Sequence, residues 1–431
     1  MDNNLNTTPT SERLQIGIFG KVNAGKSSVF NILTGQDAAV VSDQPGTTTD
    51  PVRKAMEILP LGPVMIYDTP GLSDDTSLGR MREEKTARTL HRTDAAIIVI
   101  DAAEPGENRG YEAIQQLIAE FRQRKIPFFI VLNKSDAIDQ DAIRQAVMET
   151  AAKLSVSEDV ILTFSCKDAD DGQNITVGQV SSVEQGAKLL RSRVAALPIA
   201  SHGQKPRLVA DLLKPNDMVI LVIPIDESAP KGRIILPQQQ VIRDVLDAGC
   251  SVAATRPQEL EKTLDALRQA PRMVITDSQV FDQVNSIIPR VIPLTSFSIL
   301  MSRYKGDLEG QMRGARAISS LNDGARILIS EGCTHHRQCG DIGTVKLPAW
   351  IRENTERDFD YHFTSGGEFP EDVSEYELII HCGGCTLPPQ EMSWRLERAR
   401  ECKVPMTNYG IMIAYLHGIL DRATELFPIN V

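Results

Sequence analysis

Residues 20–28 read Gly-Lys-Val-Asn-Ala-Gly-Lys-Ser-Ser, a full match to G-x-x-x-x-G-K-[ST]. No other stretch restricts the fold so closely. A loop of this kind cradles phosphate only when it joins a buried strand to the first turn of a helix. Its glycines then let backbone N–H groups turn inward, and the helix N-terminus favours the anion. Both flanks qualify: residues 14–19 alternate like a buried strand, and Val29-Phe30-Asn31-Ile32-Leu33 opens a helix. Gly20, Asn23, Ala24, Gly25, Lys26, Ser27 and Ser28 are the candidate phosphate-binding residues. Lys26 reaches the β- and γ-phosphates, and the Ser27 hydroxyl is offered to Mg²⁺, so these two are also the first catalytic candidates.

The other parts of a guanine-nucleotide switch follow in order. Gly46-Thr47-Thr48-Thr49 lies in a turn-rich loop where a threonine hydroxyl, Thr48 by preference, completes the Mg²⁺ shell and senses the γ-phosphate. The β-rich run 64–67 ends in Asp68-Thr69-Pro70-Gly71, which puts a carboxylate near the metal and the Gly71 N–H near the γ-phosphate. Buried parallel strands are expected over 95–100 and 127–132, the second running into Asn133-Lys134-Ser135-Asp136. The Asp136 carboxylate accepts from both guanine N1–H and the exocyclic amine. Adenine has no N1–H and would leave a buried charge unpaired, so GTP is selected over ATP. After a strand at 160–164, Ser165-Cys166-Lys167 stands where the guanine oxygen is contacted; Cys166 is a small neighbour of the base and no metal ligand. Leu72 occupies the place of the water-orienting glutamine of many small GTPases, which predicts slow intrinsic hydrolysis.

A length of 431 residues suggests about three domains. They are expected at 13–197, 207–297 and 298–431, after a disordered leader at 1–12. The class is α/β throughout: an N-terminal P-loop GTPase domain, a small central α/β dimerisation domain and a C-terminal α/β domain with a candidate metal site, which the resemblance given below implies is an iron-sulfur cluster domain. The formal charge of −11 argues against a broad nucleic-acid or anionic-membrane surface. The polar start has no secretion signal and no apolar run reaches about eighteen residues, so no membrane span and a cytoplasmic location are expected. In that reducing compartment the seven cysteines, four of them at 333, 339, 382 and 385, point to metal rather than disulfides.

The middle segment alternates expected strands at 218–225, 251–255, 272–276 and 290–294 with helices at 238–248, 258–269 and 278–287. It carries no phosphate fingerprint or acid–base cluster, which suggests association, with a homodimer as the first expectation. In the last third, strand-like residues 325–330 empty into Cys333-Thr334-His335-His336, and strand-like residues 376–380 into His381-Cys382-Gly383-Gly384-Cys385. If these strands are parallel neighbours, three thiols converge at one sheet edge. Spacing leaves two readings open: a Cys₃His zinc site of Cys333, Cys382, Cys385 and His335, or a 4Fe-4S cluster on the three cysteines. Residues 393–402 read as a charged, solvated surface helix and 411–420 as a buried one.

Two resemblances extend this reading. Asn23 in Asn-Ala-Gly-Lys-Ser-Ser, with Pro-Gly-Thr-Thr, resembles the potassium-dependent GTPases of the TrmE and Era type, and implies that Asn23 helps hold K⁺ beside the phosphates. The whole chain, with Cys333-x-His335 and His381-Cys382-x-x-Cys385 behind that domain, resembles the HydF family of [FeFe]-hydrogenase maturation GTPases. That resemblance implies a 4Fe-4S cluster on Cys333, Cys382 and Cys385 with a variable fourth ligand. His335 is the motif candidate; His336, Cys339 and Asp341 are its rivals. It also implies a scaffold that takes a diiron precursor from two radical-SAM maturases to apo-hydrogenase. The alternative is a potassium-dependent GTPase with a structural zinc, acting in ribosome or tRNA maturation.

Overall fold

The computed structural model describes residues 8–35, 52–71, 86–106, 109–166, 183–199, 207–225, 234–332 and 341–428. The chain divides into two compact units, Met1–Gly203 and Gln204–Val431. Thr48, Leu72, Lys167, Cys333, His335, His336 and Cys339 lie outside the described residues.

The first unit is built on strands β1 (Leu14–Gly20), β2 (Val52–Ile58), β3 (Gly62–Asp68), β4 (Ala95–Asp101), β5 (Phe128–Asn133) and β6 (Ile161–Thr163), in spatial order β2-β3-β1-β4-β5-β6. All neighbours are parallel except β2, which runs antiparallel along the edge beside β3. The inner strands are continuous apolar runs because both faces are covered. Ile16, Ile18, Ile97 and Val99 enter one core with Val29 and Phe30. The alternate residues Phe19, Ile98 and Ile100 enter another with Ile118 and Phe121. Parallel strands end at a common edge, so the residues at and just beyond the ends of β1, β3, β5 and β6 share one rim.

The second unit contains two parallel four-stranded sheets. One has order β10-β9-β7-β8, from β7 (Met218–Val222), β8 (Ser251–Thr255), β9 (Met273–Thr276) and β10 (Leu294–Ser296). The other has order β12-β11-β13-β14, from β11 (Arg326–Glu331), β12 (Asp360–Ser365), β13 (Leu378–His381) and β14 (Met406–Asn408). A single core joins them, running from Val219 and Ile275 through Leu294 to Ile329, Ile380 and Ile411. A smaller core of Leu328, Phe369, Ile379 and Trp394 covers the other face of the last sheet.

Four sequence expectations are corrected. The strand expected at 290–294 begins only at Leu294, since residues 290–292 form a turn in which Val291 is exposed, and Pro293 has no N–H to give a ladder. The helix expected at 258–269 shortens to Leu260–Asp265, preceded by a 3₁₀ turn at Pro257–Glu259. The helix expected at 411–420 is Tyr409–Leu416, ended before Gly418 in the left-handed region at φ 67°. The helix expected to be a solvated face runs Pro389–Glu401 and buries Glu391 and Arg395.

Candidate functional site

At the rim of the first sheet, β1 ends in Gly20 and the helix Lys26–Thr34 starts one loop later. Gly25, its N-cap, sits at φ 92°, and a Cβ there would stand 2.1 Å from Asn133 Nδ2. Only glycine meets both demands. Asn23 also takes a left-handed φ of 63° at an exposed position of the loop, and Ala24 is buried behind it. Ser28 lies in the first turn of the helix, next to Ser27. Lys26 is buried and donates from Nζ to the Lys21 carbonyl at 2.9 Å, which folds its ammonium over the cradle. Gly71 runs so close to the loop that an added Cβ would lie 2.8 Å from the Val22 nitrogen.

Ser27 Oγ donates to Asp68 Oδ2 at 2.5 Å, while Asp68 Oδ1 is buried with no hydrogen-bond partner among the described residues. Burial pushes the Asp68 carboxyl above its usual range, against the Ser27 hydrogen bond and the Lys26 charge. An orphaned carboxylate oxygen beside a serine hydroxyl fits a hydrated Mg²⁺.

The base side is tied to the cradle by Asn133. Its Nδ2 donates to the Ala24 carbonyl at 3.0 Å and its Oδ1 accepts the Cys166 N–H at 3.3 Å. Lys134, at φ 61°, pairs with Asp101 at 2.5 Å. Ser165 Oγ donates to Asp136 Oδ1 at 2.9 Å, aiming the carboxylate that would read guanine. The structure thus brings Gly20, Asn23, Lys26, Ser27, Asp68, Gly71, Asn133, Asp136 and Cys166 to one rim.

At the edge of the last sheet, β11 and β13 are parallel neighbours, with Ser330 in register with His381. The Cys382 N–H donates to the Ser330 carbonyl, and Cys382 Sγ accepts N–H groups from Gly332 at 3.0 Å and Gly384 at 3.4 Å. Amides aimed at sulfur favour a thiolate. Burial pushes the Cys385 thiol up to about 11, with Cys382 adding to the shift and Lys305 opposing it. A bound metal centre would invert that balance by taking the thiolate directly. The chemistry of this donor set therefore fits an iron–sulfur or zinc centre. Among the described residues, no group of three or more His, Cys, Asp or Glu is disposed to hold a metal. Asp341 caps the turn Ile342–Lys346, with Oδ2 accepting from Thr344 N and Oγ1 at 2.9 and 3.2 Å.

Sequence reasoning placed His381 in the motif before Cys382 without giving it a role, and missed Arg395, Tyr409 and Lys305. His381 Nδ1 lies 2.6 Å from the Cys382 carbonyl and Nε2 lies 2.8 Å from Arg395 Nη1. A carbonyl only accepts and a guanidinium only donates, so Nδ1 carries the proton and Nε2 is engaged. Arg395 is fully buried, bonded to Gly366 O at 2.7 Å and Glu391 at 2.5 Å. Buried Tyr409 donates to Glu331 at 3.4 Å, its phenol raised by burial and then by Cys382, Glu331 and Asp341. Buried Lys305 bonds the carbonyls of Gly384 and Leu387. The signals were His381 directly before Cys382 and, for Arg395, Glu391 at helical i, i+4 spacing.

Comparison with known proteins divides along the same lines. Residues 15–134 match the family described as 50S ribosome-binding GTPase, residues 208–306 the hydrogen maturase F dimerization domain, and residues 309–426 the hydrogen maturase F tetramerization domain. The tRNA modification GTPase MnmE of Synechococcus sp. (strain JA-3-3Ab) is 36% identical over 133 residues, covering 30% of this chain and 27% of that protein. MnmE of Coxiella burnetii (strain Dugway 5J108-111) is 33% identical over 149 residues, 34% of this chain and 32% of its own. GTPase Der of Chloroflexus aurantiacus (strain ATCC 29366 / DSM 635 / J-10-fl) is 35% identical over 140 residues, 32% and 30% of the two chains. The chain spans less than a third of the length of each of these relatives. No helix among the described residues is long and apolar enough to cross a membrane.

Proposed function

The chain belongs to the hydrogen maturase F family, and on that premise we propose that it is a GTP-hydrolysing scaffold and carrier for assembly of the [FeFe]-hydrogenase active site. It holds a 4Fe-4S cluster at the edge of its last sheet, receives a diiron precursor made by two radical-SAM maturases, and delivers it to apo-hydrogenase in the cytoplasm. The observation that carries this reading is the 3.0 Å bond from Gly332 N to Cys382 Sγ. It ties the residue before Cys333 in sequence to the first cysteine of the Cys382-Gly-Gly-Cys385 turn.

Cys333, Cys382 and Cys385 would hold the cluster, with the fourth ligand drawn from His335, His336, Cys339 or Asp341. When bound, the cluster supplies a one-electron redox centre and an exchangeable iron position at which cargo can dock. The protein's own part is to fix the loop: amides hold Cys382, and His381 holds its carbonyl.

In the first unit, Lys26, Ser27, Thr48, Asp68 and Gly71 bind Mg²⁺ and the terminal phosphates, and Asn133, Lys134, Asp136, Ser165, Cys166 and Lys167 bind guanine. Leu72 in place of a glutamine makes hydrolysis slow, and K⁺ at Asn23 accelerates it by placing positive charge beside the phosphates. Hydrolysis is a switch for docking with partners rather than a step in cluster transfer. The dimerization and tetramerization matches support formation of an oligomer.

Activation of apo-hydrogenase by chain loaded by both maturases tests this. Wild type should activate it; Cys382→Ala should not, although it still hydrolyses GTP at the wild-type rate. Full activation by Cys382→Ala would sink the carrier reading.

A further inference from the structure

Lys305 is the last residue of the helix Phe297–Lys305, inside the dimerization match at 208–306. Its side chain reaches a loop of the other matched domain, where Nζ bonds the carbonyl of Gly384 and, at 3.0 Å, that of Leu387. Lys305 is only 8% exposed. Gly384 itself sits at φ 59°, so the clamped carbonyl belongs to the residue that bends the chain between Cys382 and Cys385.

Burying an ammonium forfeits much of its hydration. Two carbonyls could be bridged by a neutral amide side chain at far lower cost. A cation is the better choice where negative charge gathers close by, and this one sits on the carbonyl of Gly384, the residue directly before Cys385. A cluster on three thiolates gathers such charge, and gains more when it is reduced.

We propose that Lys305 is a positioning residue with an electrostatic role: it holds the Cys382–Cys385 turn in shape and raises the reduction potential of the centre that the turn carries. This rests on the cluster reading above. A fixed charge beside a cluster is one of the levers by which a protein sets its potential. Because the helix belongs to one matched domain and the turn to the other, the lever also ties the cluster loop to the segment matched as the dimerization domain.

The test compares wild type, Lys305→Gln, which keeps a donor but drops the charge, and Lys305→Arg, which keeps the charge. Each full-length chain is reconstituted anaerobically, assayed for iron and sulfide, and titrated to its midpoint potential by EPR. GTP hydrolysis serves as the check on folding. Lys305→Gln should move to a more negative potential while Lys305→Arg stays near wild type. An unshifted Lys305→Gln, or an equal shift in both variants, overturns the proposal and leaves Lys305 a mechanical clamp. If Lys305→Gln cannot hold a cluster, retention by Lys305→Arg supports the charge role and equal loss in both overturns it. Absence of iron and sulfide from wild type would overturn the cluster reading as well; a cluster in wild type with an unshifted Lys305→Gln overturns this inference alone.

Discussion

Ser27 Oγ lies 2.5 Å from Asp68 Oδ2, which joins the start of the first helix to the end of β3 before any metal is bound. The second Asp68 oxygen is buried and lacks a hydrogen-bond partner among the described residues. The pair is preorganised for a divalent cation at the expense of a buried carboxylate. Asp68→Asn should therefore leave the nucleotide-free chain as stable as wild type, or more stable by about 1–3 kcal/mol. It should also lower Mg²⁺-dependent GTP hydrolysis at least about tenfold. Thermal melts and single-turnover rates check both halves; a destabilised variant with full activity would contradict this role.

Ser165 holds the Asp136 carboxylate at 2.9 Å. Ser165→Ala should cost about 1 kcal/mol of GTP affinity, about fivefold in Kd, and narrow the preference over ATP. Calorimetry with both nucleotides measures this. An unchanged GTP/ATP ratio would mean that Asp136 needs no help in pointing at the base.

Hydrolysis should be faster in K⁺ than in Na⁺ at equal ionic strength, and Asn23→Ala should erase the difference. Asn23, at φ 63°, is placed in the phosphate loop where a monovalent ion could be held. Identical wild-type rates in the two salts would remove Asn23 from that role.

Asp211 and Arg303 form a two-pronged pair, with Nη1 to Oδ1 at 2.9 Å. The Arg303 hydrogen bond holds the Asp211 carboxyl below its ordinary value, against partial burial. A depressed folded pKa contributes stability that is present above about pH 4 and is lost as pH falls through the folded value. The pair is partly exposed, so the contribution is at most about 1 kcal/mol. Asp211→Asn should melt lower than wild type at pH 6, and the gap should close as pH falls through the folded value; a gap that stays constant as the pH is lowered would exclude the linkage.

The phosphate loop was legible because its chemistry is contiguous: strand, glycines, lysine and helix follow one another in sequence. β2 was not, because Val52–Ile58 alternates with Arg53, Lys54 and Glu57, which reads as solvated chain until β3 is seen to pair with it. The sequence posed the parallel pairing of β11 and β13 only as a condition, and the structure meets it, bringing the Gly332 and Cys382 segments together. Arg395 and Lys305 were missed for a physical reason. Arg395 stands on a helix whose charged pattern suits water and Lys305 closes a short apolar one, where a terminal lysine reads as solvated; each is buried by partners distant in sequence, Gly366 and His381 for Arg395, Gly384 and Leu387 for Lys305. The shift from 290–294 to Leu294–Ser296 shows the weight of a single Pro293 against an apolar run.

The account turns on what Cys382 and Cys385 carry. Anaerobic reconstitution followed by iron, sulfide and zinc assays, with EPR of the reduced protein, addresses this in wild type and Cys382→Ala. About four iron and four sulfide per chain, with a reduced-cluster signal that disappears in Cys382→Ala, is the predicted result. Stoichiometric zinc without sulfide would contradict the scaffold and leave a GTPase with a structural metal site.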